Sequence, residues 1–240
     1  MRSRSIVFLL ALVSVAAIGW IFSRYAHAPD LGSGSGSGDR ADAAAHVAVM
    51  KEPVSVVTRT FDPANPPSEM PPLSPGEIAV CDANYVSNVS VGGEGRQTDA
   101  THEIVSVTQV KANLRLVVTI WLPEGASQHV AEHEDGHRQI AEALYANADK
   151  LVTQIAAAYI GKKDLISGGD LNGQFTQLLQ QEGAAITDEF NKQLNPEPVQ
   201  LSYDAITDHS RNDVAAADAV AQVLKNAAIV SATPVTPGGN

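Results

Sequence analysis

The feature that most constrains the fold of this chain is a change in the period of its apolar residues at Pro123. Before this proline, apolar residues occupy every second position, which is the period of a β-strand: Leu114, Leu116, Val118 and Ile120. Beyond it, the residues Val130, His133, His137, Ile140 and Leu144 recur three or four positions apart, which is the period of an α-helix. Strands and helices are therefore segregated along the chain, and this order predicts an α+β fold.

The strand-rich part begins with a short run from Val54 to Phe61 and continues from Ile78 to Trp121. Within the second run, the residues up to Val110 and those from Leu114 are separated by Lys111-Ala112-Asn113, a connection short enough for an antiparallel hairpin. Gly92-Gly93 predicts another turn. We therefore expect an antiparallel sheet packed on the long helix that follows, with further C-terminal helices.

Three helices are predicted in the second part of the chain. The first begins near Ser127 and continues to about Ile160, and the second covers Asp170 to Leu194, where Pro196 and Pro198 end it. The third covers about Asn212 to Ala228. The six prolines between Pro63 and Pro75 predict an ordered surface loop between two strands.

The N-terminus predicts export. Arg2 and Arg4 precede an apolar run from Ile6 to Phe22, and Ala26-His27-Ala28 has the small-x-small pattern of a cleavage site. Residues 1–28 are therefore a signal peptide or, because the apolar run is long, an uncleaved membrane anchor. In both cases the positive residues stay in the cytoplasm, and the rest is delivered to the periplasm or secreted.

Composition divides the exported part and limits its partners. We expect a flexible Gly/Ser/Ala linker at 29–46, one domain at 47–230 with a β-rich part (47–123) and a helical part (124–230), and a disordered tail at 231–240. The formal net charge of −11 argues against nucleic acid as a partner, and we expect contact with a membrane only through the N-terminal segment. Cys81 is the single cysteine, and we interpret it as a core residue.

The sequence His133-Glu134-Asp135-Gly136-His137 lies inside the first predicted helix. Residues four apart share one helix face, so the two imidazoles can converge on one zinc ion. Glu134 is then placed to accept a proton from a water molecule that attacks a carbonyl group. A glycine inside a helix costs about 1 kcal/mol relative to alanine, and close approach of a substrate strand would be a reason for Gly136.

The residues alone leave the third zinc ligand open between Glu182 and His209. Three histidines spread over eight helical residues cannot all reach one ion, so His129 is interpreted as a pocket or supporting residue. Glu182 lies on the apolar face of the second helix, as does Glu189, where an acid needs a partner. His209 lies in a polar segment between two predicted helices.

Two motifs carry a resemblance to a known family. His133-Glu134-Asp135-Gly136-His137, followed downstream by Tyr203-Asp204-Ala205-Ile206-Thr207-Asp208-His209, resembles the bacterial family of predicted secreted Zn-dependent proteases, which is zincin-like. That family has an H-E-x-G-H helix and a Tyr-Asp-x-x-Thr-x-His-Gly signature. The match covers about Val54 to Arg211, and this chain has Ser210 where the signature has glycine.

The resemblance implies a zinc metalloprotease with one Zn²⁺. It implies His133 and His137 as ligands, Glu134 as general base and His209 as the third ligand. Tyr203 is predicted to donate a hydrogen bond to the oxyanion of the transition state, and Asp204 or Asp208 to orient a ligand histidine. The substrate is then a peptide or protein of the cell envelope.

Two alternatives stay open. A non-catalytic envelope protein could use the zinc site as a structural staple or to bind a partner, and an amidase acting on cell-wall peptides could use the same zinc chemistry. For a peptidase, we expect a strand near the cleft, Leu114 to Trp121 or its neighbour, to pair with the extended substrate.

Overall fold

The computed structural model describes residues 38–74 and 76–232. Their elements, in chain order, are α1 (Gly38–Ala45), β1 (Val47–Lys51), β2 (Ser55–Phe61), β3 (Val80–Asp99), β4 (His102–Pro123), α2 (Gln128–Tyr145), α3 (Ala148–Ala157), β5 (Lys163–Ser167), α4 (Leu171–Leu194), α5 (Glu197–Thr207) and α6 (Ala216–Ala232). All of these residues fall in one unit, Ser33–Asn240.

The long strand β4 is the centre of a five-stranded sheet. Strand β3 pairs with it in antiparallel orientation along its length, from Val80↔Trp121 to Asp99↔His102. Three short strands follow one another along the other edge of β4: β5 is antiparallel to it, whereas β1 and β2 are both parallel to it.

The prediction of an antiparallel sheet is therefore wrong, because the sheet of this α+β protein is mixed. Only three residues separate β1 from β2, so the chain keeps one direction through both strands, and both lie beside β4 in parallel. Alternation of apolar residues reports which face of a strand is buried, and it carries no information about the direction of its neighbour.

The predicted hairpin at Lys111-Ala112-Asn113 is also wrong. These residues continue β4, with Ala112 buried between two exposed neighbours. The buried residues of β4 have odd numbers up to Val107 and even numbers from Val110 onward. The change occurs because Gly92 pairs with Gln109 and Gly93 with Val107, so one residue of β4 between them has no partner in β3. The two glycines mark this bulge and do not form the predicted turn.

The helices agree with the predictions in part. Ser127 caps α2 by accepting a hydrogen bond from the Val130 N–H. Asp170 caps α4 by accepting a hydrogen bond from the Gly173 N–H. The first predicted helix is two helices, α2 and α3. Helix α5 was not predicted, because the prolines at 196 and 198 were interpreted only as the end of α4, although proline also suits the first turn of a helix.

The buried face of the sheet packs against α2, α3 and α4. A second cluster joins Ile140 of α2 to Tyr203 of α5 and to three residues of α6: Ala219, Val220 and Val223. Helix α5 is thereby fixed against α2, and this contact brings the two motifs of the sequence together.

Several predictions concern the two ends of the chain, which lie outside the described residues. The signal peptide or anchor at 1–28 lies wholly outside it, as does most of the tail at 231–240. Helix α1 occupies the C-terminal half of the segment predicted to be a flexible linker. Among the described residues, no helix combines the length and apolar character needed to cross a membrane.

Candidate metal centre

Helix α2 places the imidazoles of His133 and His137 side by side, because the two residues are one helical turn apart. Their Nε2 atoms are 3.2 Å apart, and the rings meet edge to face. His133 is buried, and His137 is almost so.

The third member of the group is Asp204 of α5. Its Oδ1 atom is 2.9 Å from Nε2 of His137 and 3.5 Å from Nε2 of His133. His133, His137 and Asp204 form a group that could hold a metal ion. From the sequence, Asp204 was assigned only a possible orienting role, because its neighbour His209 occupied the ligand position of the signature.

The three atoms fit a metal ion of the size of zinc. Ligands at about 2.0–2.1 Å from a tetrahedral Zn²⁺ are about 3.3 Å from one another. The observed separations of 3.2, 2.9 and 3.5 Å lie around that value. Two imidazole nitrogens and a carboxylate oxygen also form a donor set that zinc sites use.

Gln200, one turn before Asp204 on α5, fixes the orientation of His137. Its Oε1 atom accepts a hydrogen bond from Nδ1 of His137 at 2.6 Å, and its Nε2 atom donates to the His137 carbonyl at 3.2 Å. Because an amide oxygen can only accept, Nδ1 of His137 carries a hydrogen and Nε2 is directed toward Asp204. Gln200 was not predicted from the sequence, because its contact with His137 depends on α5 being a helix packed on α2.

The ring of Tyr203 packs against both imidazoles. Its ring stacks on His133, with centroids 5.1 Å apart, and meets His137 edge to face at 4.8 Å. The side chain is fully buried, and its hydroxyl donates to the carbonyl oxygen of His133 at 3.1 Å. A Cβ atom on Gly136 would overlap this hydroxyl. Gly136 therefore makes room for Tyr203, and not for the substrate strand that we expected.

The charges of the group are coupled. Burial acts to raise the pKa of Asp204, but its hydrogen bonds to His133 and His137 outweigh burial and hold that pKa well below its ordinary value. Burial lowers the pKa of His133. Burial acts in the same direction on His137, but the hydrogen bond and charge of Asp204 outweigh it and raise the pKa of His137. Asp204 is thus the anionic centre to which both histidines are directed.

Glu134 is buried beside this group. Burial raises its pKa to about 7, and the charges of Asp204 and Glu77 act in the same direction, while His137 and a hydrogen bond from the Cys81 N–H oppose them. Cys81 is the second residue of β3, so the start of this strand lies against the carboxylate. Burial, with the charge of Glu134, raises the pKa of the Cys81 thiol well above its ordinary value.

His209 lies at the rim of the group. Its Nδ1 atom is 3.7 Å from Oδ1 of Asp204 and 3.7 Å from Oε1 of Glu77, and it has no hydrogen-bond partner among the described residues. Its side chain is 33% exposed, compared with 6% for His133. The group of ligand atoms is therefore most accessible to solvent on the side of His209.

A left-handed turn brings His209 back to the group after α5 ends. Asp208, His209 and Ser210 all have positive φ, at 47°, 52° and 62°. Glycine adopts positive φ with the smallest steric penalty, so the glycine that the family signature has at the position of Ser210 suits this turn. Gly76, with φ at 93°, lies beside the guanidinium of Arg211 and brings the segment that contains Glu77 against this turn.

The other acids and histidines considered from the sequence lie elsewhere. Glu182 is buried and paired with Lys162, which supplies the partner that its position on α4 requires. Nε2 of His129 is 2.9 Å from the carbonyl oxygen of Asn212 and ties α2 to the segment before α6. Glu189, the other acid on the apolar face of α4, pairs with Lys192. The run Leu114 to Trp121 belongs to the central strand β4, so of the two strands that we expected near the cleft only its neighbour can be an edge.

His133, His137 and Asp204, with Glu134 beside them, therefore form a group of the His-His-carboxylate kind that could hold a metal ion. No protein-family model matches the chain. Neither a curated protein nor a solved structure matches it significantly.

Proposed function

We propose that this chain is an exported zinc-dependent peptidase in which His133, His137 and Asp204 hold the metal and Glu134 is the general base. The observation that carries the proposal is the position of Glu134, which is buried next to three convergent ligand atoms. A zinc ion at this position would supply a Lewis acid that polarises a carbonyl group and lowers the pKa of water to about 7.

Glu134 performs the proton transfers in this proposal. Its carboxylate accepts a proton from the attacking water and passes it to the amine that leaves when the C–N bond breaks. Gln200 and Tyr203 hold the imidazoles in place. Burial of Glu134 and His133 excludes bulk water from the reacting groups.

Strand β3 is the proposed guide for the substrate backbone. It begins beside Glu134, and among the described strands only β4 pairs with it, so we propose that an extended peptide pairs with its other edge near this start. Main-chain hydrogen bonds to a strand edge bind peptides without regard to their side chains. A peptide bond in this position lies near the group of ligands.

The test compares Glu134→Gln with the wild-type full-length chain at equal zinc occupancy. Glu134 does not ligate the metal, so the variant keeps its zinc, while cleavage of a broad peptide library falls by about 10²–10⁴-fold because the base is lost. Glu132→Gln is the matched control, since this glutamate is exposed on the same helix and should change neither property. Equal cleavage by wild type and Glu134→Gln would show that Glu134 is not the base.

A second candidate is a non-catalytic envelope protein with a structural zinc site. The observation that favours it is the position of His209, whose unpartnered Nδ1 atom is 3.7 Å from Asp204 and could provide a fourth ligand. A site closed by four residues has no position for a substrate. Zinc bound by wild type without cleavage of any library peptide would favour this candidate.

A further inference from the structure

A cavity of about 600 Å³ lies beside the opening of the metal centre. Among the described residues, its wall contains six prolines, four other apolar residues and one charged residue, Glu77. The prolines come from the segment between β2 and β3 and from the end of β4. This volume lies within the range of about 300–1,000 Å³ that is typical of ligand pockets.

Glu77 joins the cavity to the metal centre. One carboxylate oxygen accepts a hydrogen bond from the Ser74 N–H at 2.8 Å, and the other is 3.7 Å from Nδ1 of His209. The next residue, Ile78, also lines the cavity, and β3 begins two residues later at Val80. The cavity therefore borders the start of β3, the strand proposed to guide the substrate backbone, so a side chain that enters it lies close to the group of ligands.

The wall of the cavity is held in shape before any ligand binds. Proline fixes φ, so a wall rich in proline has few alternative conformations. Arg59 anchors the segment from β2, because its guanidinium lies over the ring of Trp121 and pairs with Glu69. Ile78, which also lines the cavity, exposes 54% of its surface. A ligand that covers this apolar side chain removes its surface from water, which favours binding.

We propose, on the basis of the proposed peptidase function, that this proline-walled cavity is the specificity pocket and takes a bulky apolar side chain of the substrate. The occupant is an aromatic or branched aliphatic residue next to the cleaved bond. The apolar wall, the volume and the continuity with the metal centre through Glu77 all favour such a residue over a small or charged one.

The experiment uses the zinc-loaded full-length chain and a peptide library whose cleavage products are identified by mass spectrometry. Wild type is expected to cleave next to bulky apolar residues at one fixed position. Ile78→Asp places a carboxylate in the wall, and it should lower kcat/KM for these peptides by at least about tenfold. Leu165→Asp is the matched control, because Leu165 is an exposed apolar residue on β5 outside the cavity, and it should leave the preference unchanged.

Met70→Trp is the second variant, and it keeps the test valid if Ile78→Asp fails to bind zinc. The larger side chain fills the cavity and should shift the preference from aromatic to smaller apolar residues. Cleavage without an apolar preference, or an unchanged preference in both variants, overturns the assignment of the pocket and leaves the peptidase proposal standing. Absence of cleavage by zinc-loaded wild type overturns both proposals.

Discussion

Tyr203 packs its phenol against Gly136, at a point of helix α2 where a Cβ atom would overlap the hydroxyl. The contact lies between the two histidines of α2, so it sets both the distance between α2 and α5 and the positions of the imidazoles. The metal centre therefore depends on a residue that has no side chain.

Substitution of this glycine should destabilise the fold. Gly136→Ala gains about 1 kcal/mol of helix propensity but forces Tyr203 away, and overpacking of a buried contact costs about 1–3 kcal/mol. We expect a net loss of about 1 kcal/mol in the free energy of unfolding, measured by denaturant titration, together with weaker zinc binding. Gly169→Ala is the control, since an added Cβ there meets no atom within 4 Å. Unchanged zinc affinity in Gly136→Ala would contradict the positioning role.

The hydroxyl of Tyr203 can be tested separately from its ring. Tyr203→Phe keeps the packing and removes the bond to His133, so the unfolding free energy should fall by about 1 kcal/mol while zinc remains bound. If Tyr203 instead serves the oxyanion, as predicted from the sequence, kcat should fall by about 10²–10³-fold at constant KM. Steady-state kinetics on a cleaved peptide separate these two results.

Removal of ligands should rank the members of the metal centre. His133→Ala, His137→Ala and Asp204→Ala should each abolish stoichiometric zinc binding, because each removes one of three convergent atoms. His209→Ala should weaken it much less. The measurement is zinc content after dialysis, with His129→Ala as a control that retains the metal. Loss of zinc from His209→Ala together with its retention by Asp204→Ala would restore the ligand set implied by the family resemblance.

Gln200 does not belong to the proposed ligands, and its substitution tests whether the hydrogen bond to His137 strengthens metal binding. Gln200→Ala leaves Nδ1 of His137 without its acceptor, and loss of such a partner typically weakens metal binding by about 10–100-fold. Gln193→Ala is the matched control, because this exposed glutamine lies on α4 and its side chain donates a hydrogen bond to Glu189. Competition with a chromogenic chelator measures both affinities, and equal values would contradict the role of Gln200.

The pair between Lys162 and Glu182 explains the buried acid of α4, and it predicts an effect on stability alone. Lys162→Met leaves the Glu182 carboxylate buried without its partner, which should lower the unfolding free energy by about 1–3 kcal/mol, toward the low end because Lys162 is 44% exposed. Lys192→Met, at an exposed pair with Glu189, should have almost no effect. Zinc content should not change in either variant, and loss of zinc from Lys162→Met would return Glu182 to the ligand candidates.

Local sequence signals predicted some elements well. Ser127 and Asp170 mark the starts of α2 and α4, because capping is a short-range interaction between residues three apart. The strand from Val54 to Phe61 corresponds to β2. The spacing of His133 and His137 placed two imidazoles on one face, since helical geometry alone determines this arrangement.

Other features depend on contacts between distant residues and could not be predicted in this way. The direction of β1 relative to β4 follows from the path of the chain, and the bulge at Gly92 and Gly93 follows from strand pairing. Asp204 enters the metal centre because α5 is a helix packed on α2, and its two prolines were compatible with the end of one helix or the start of another.

The arrangement of strands around β4 has a consequence for the order of folding. Strands β3 and β4 are joined by a tight turn, so their pairing involves residues close in sequence and forms early. Strands β1 and β2 leave the ribosome before β4 exists, and they must wait for the strand that pairs with them. Their docking has a high contact order and should be the slow step, so the part of the domain that is synthesised first is completed last.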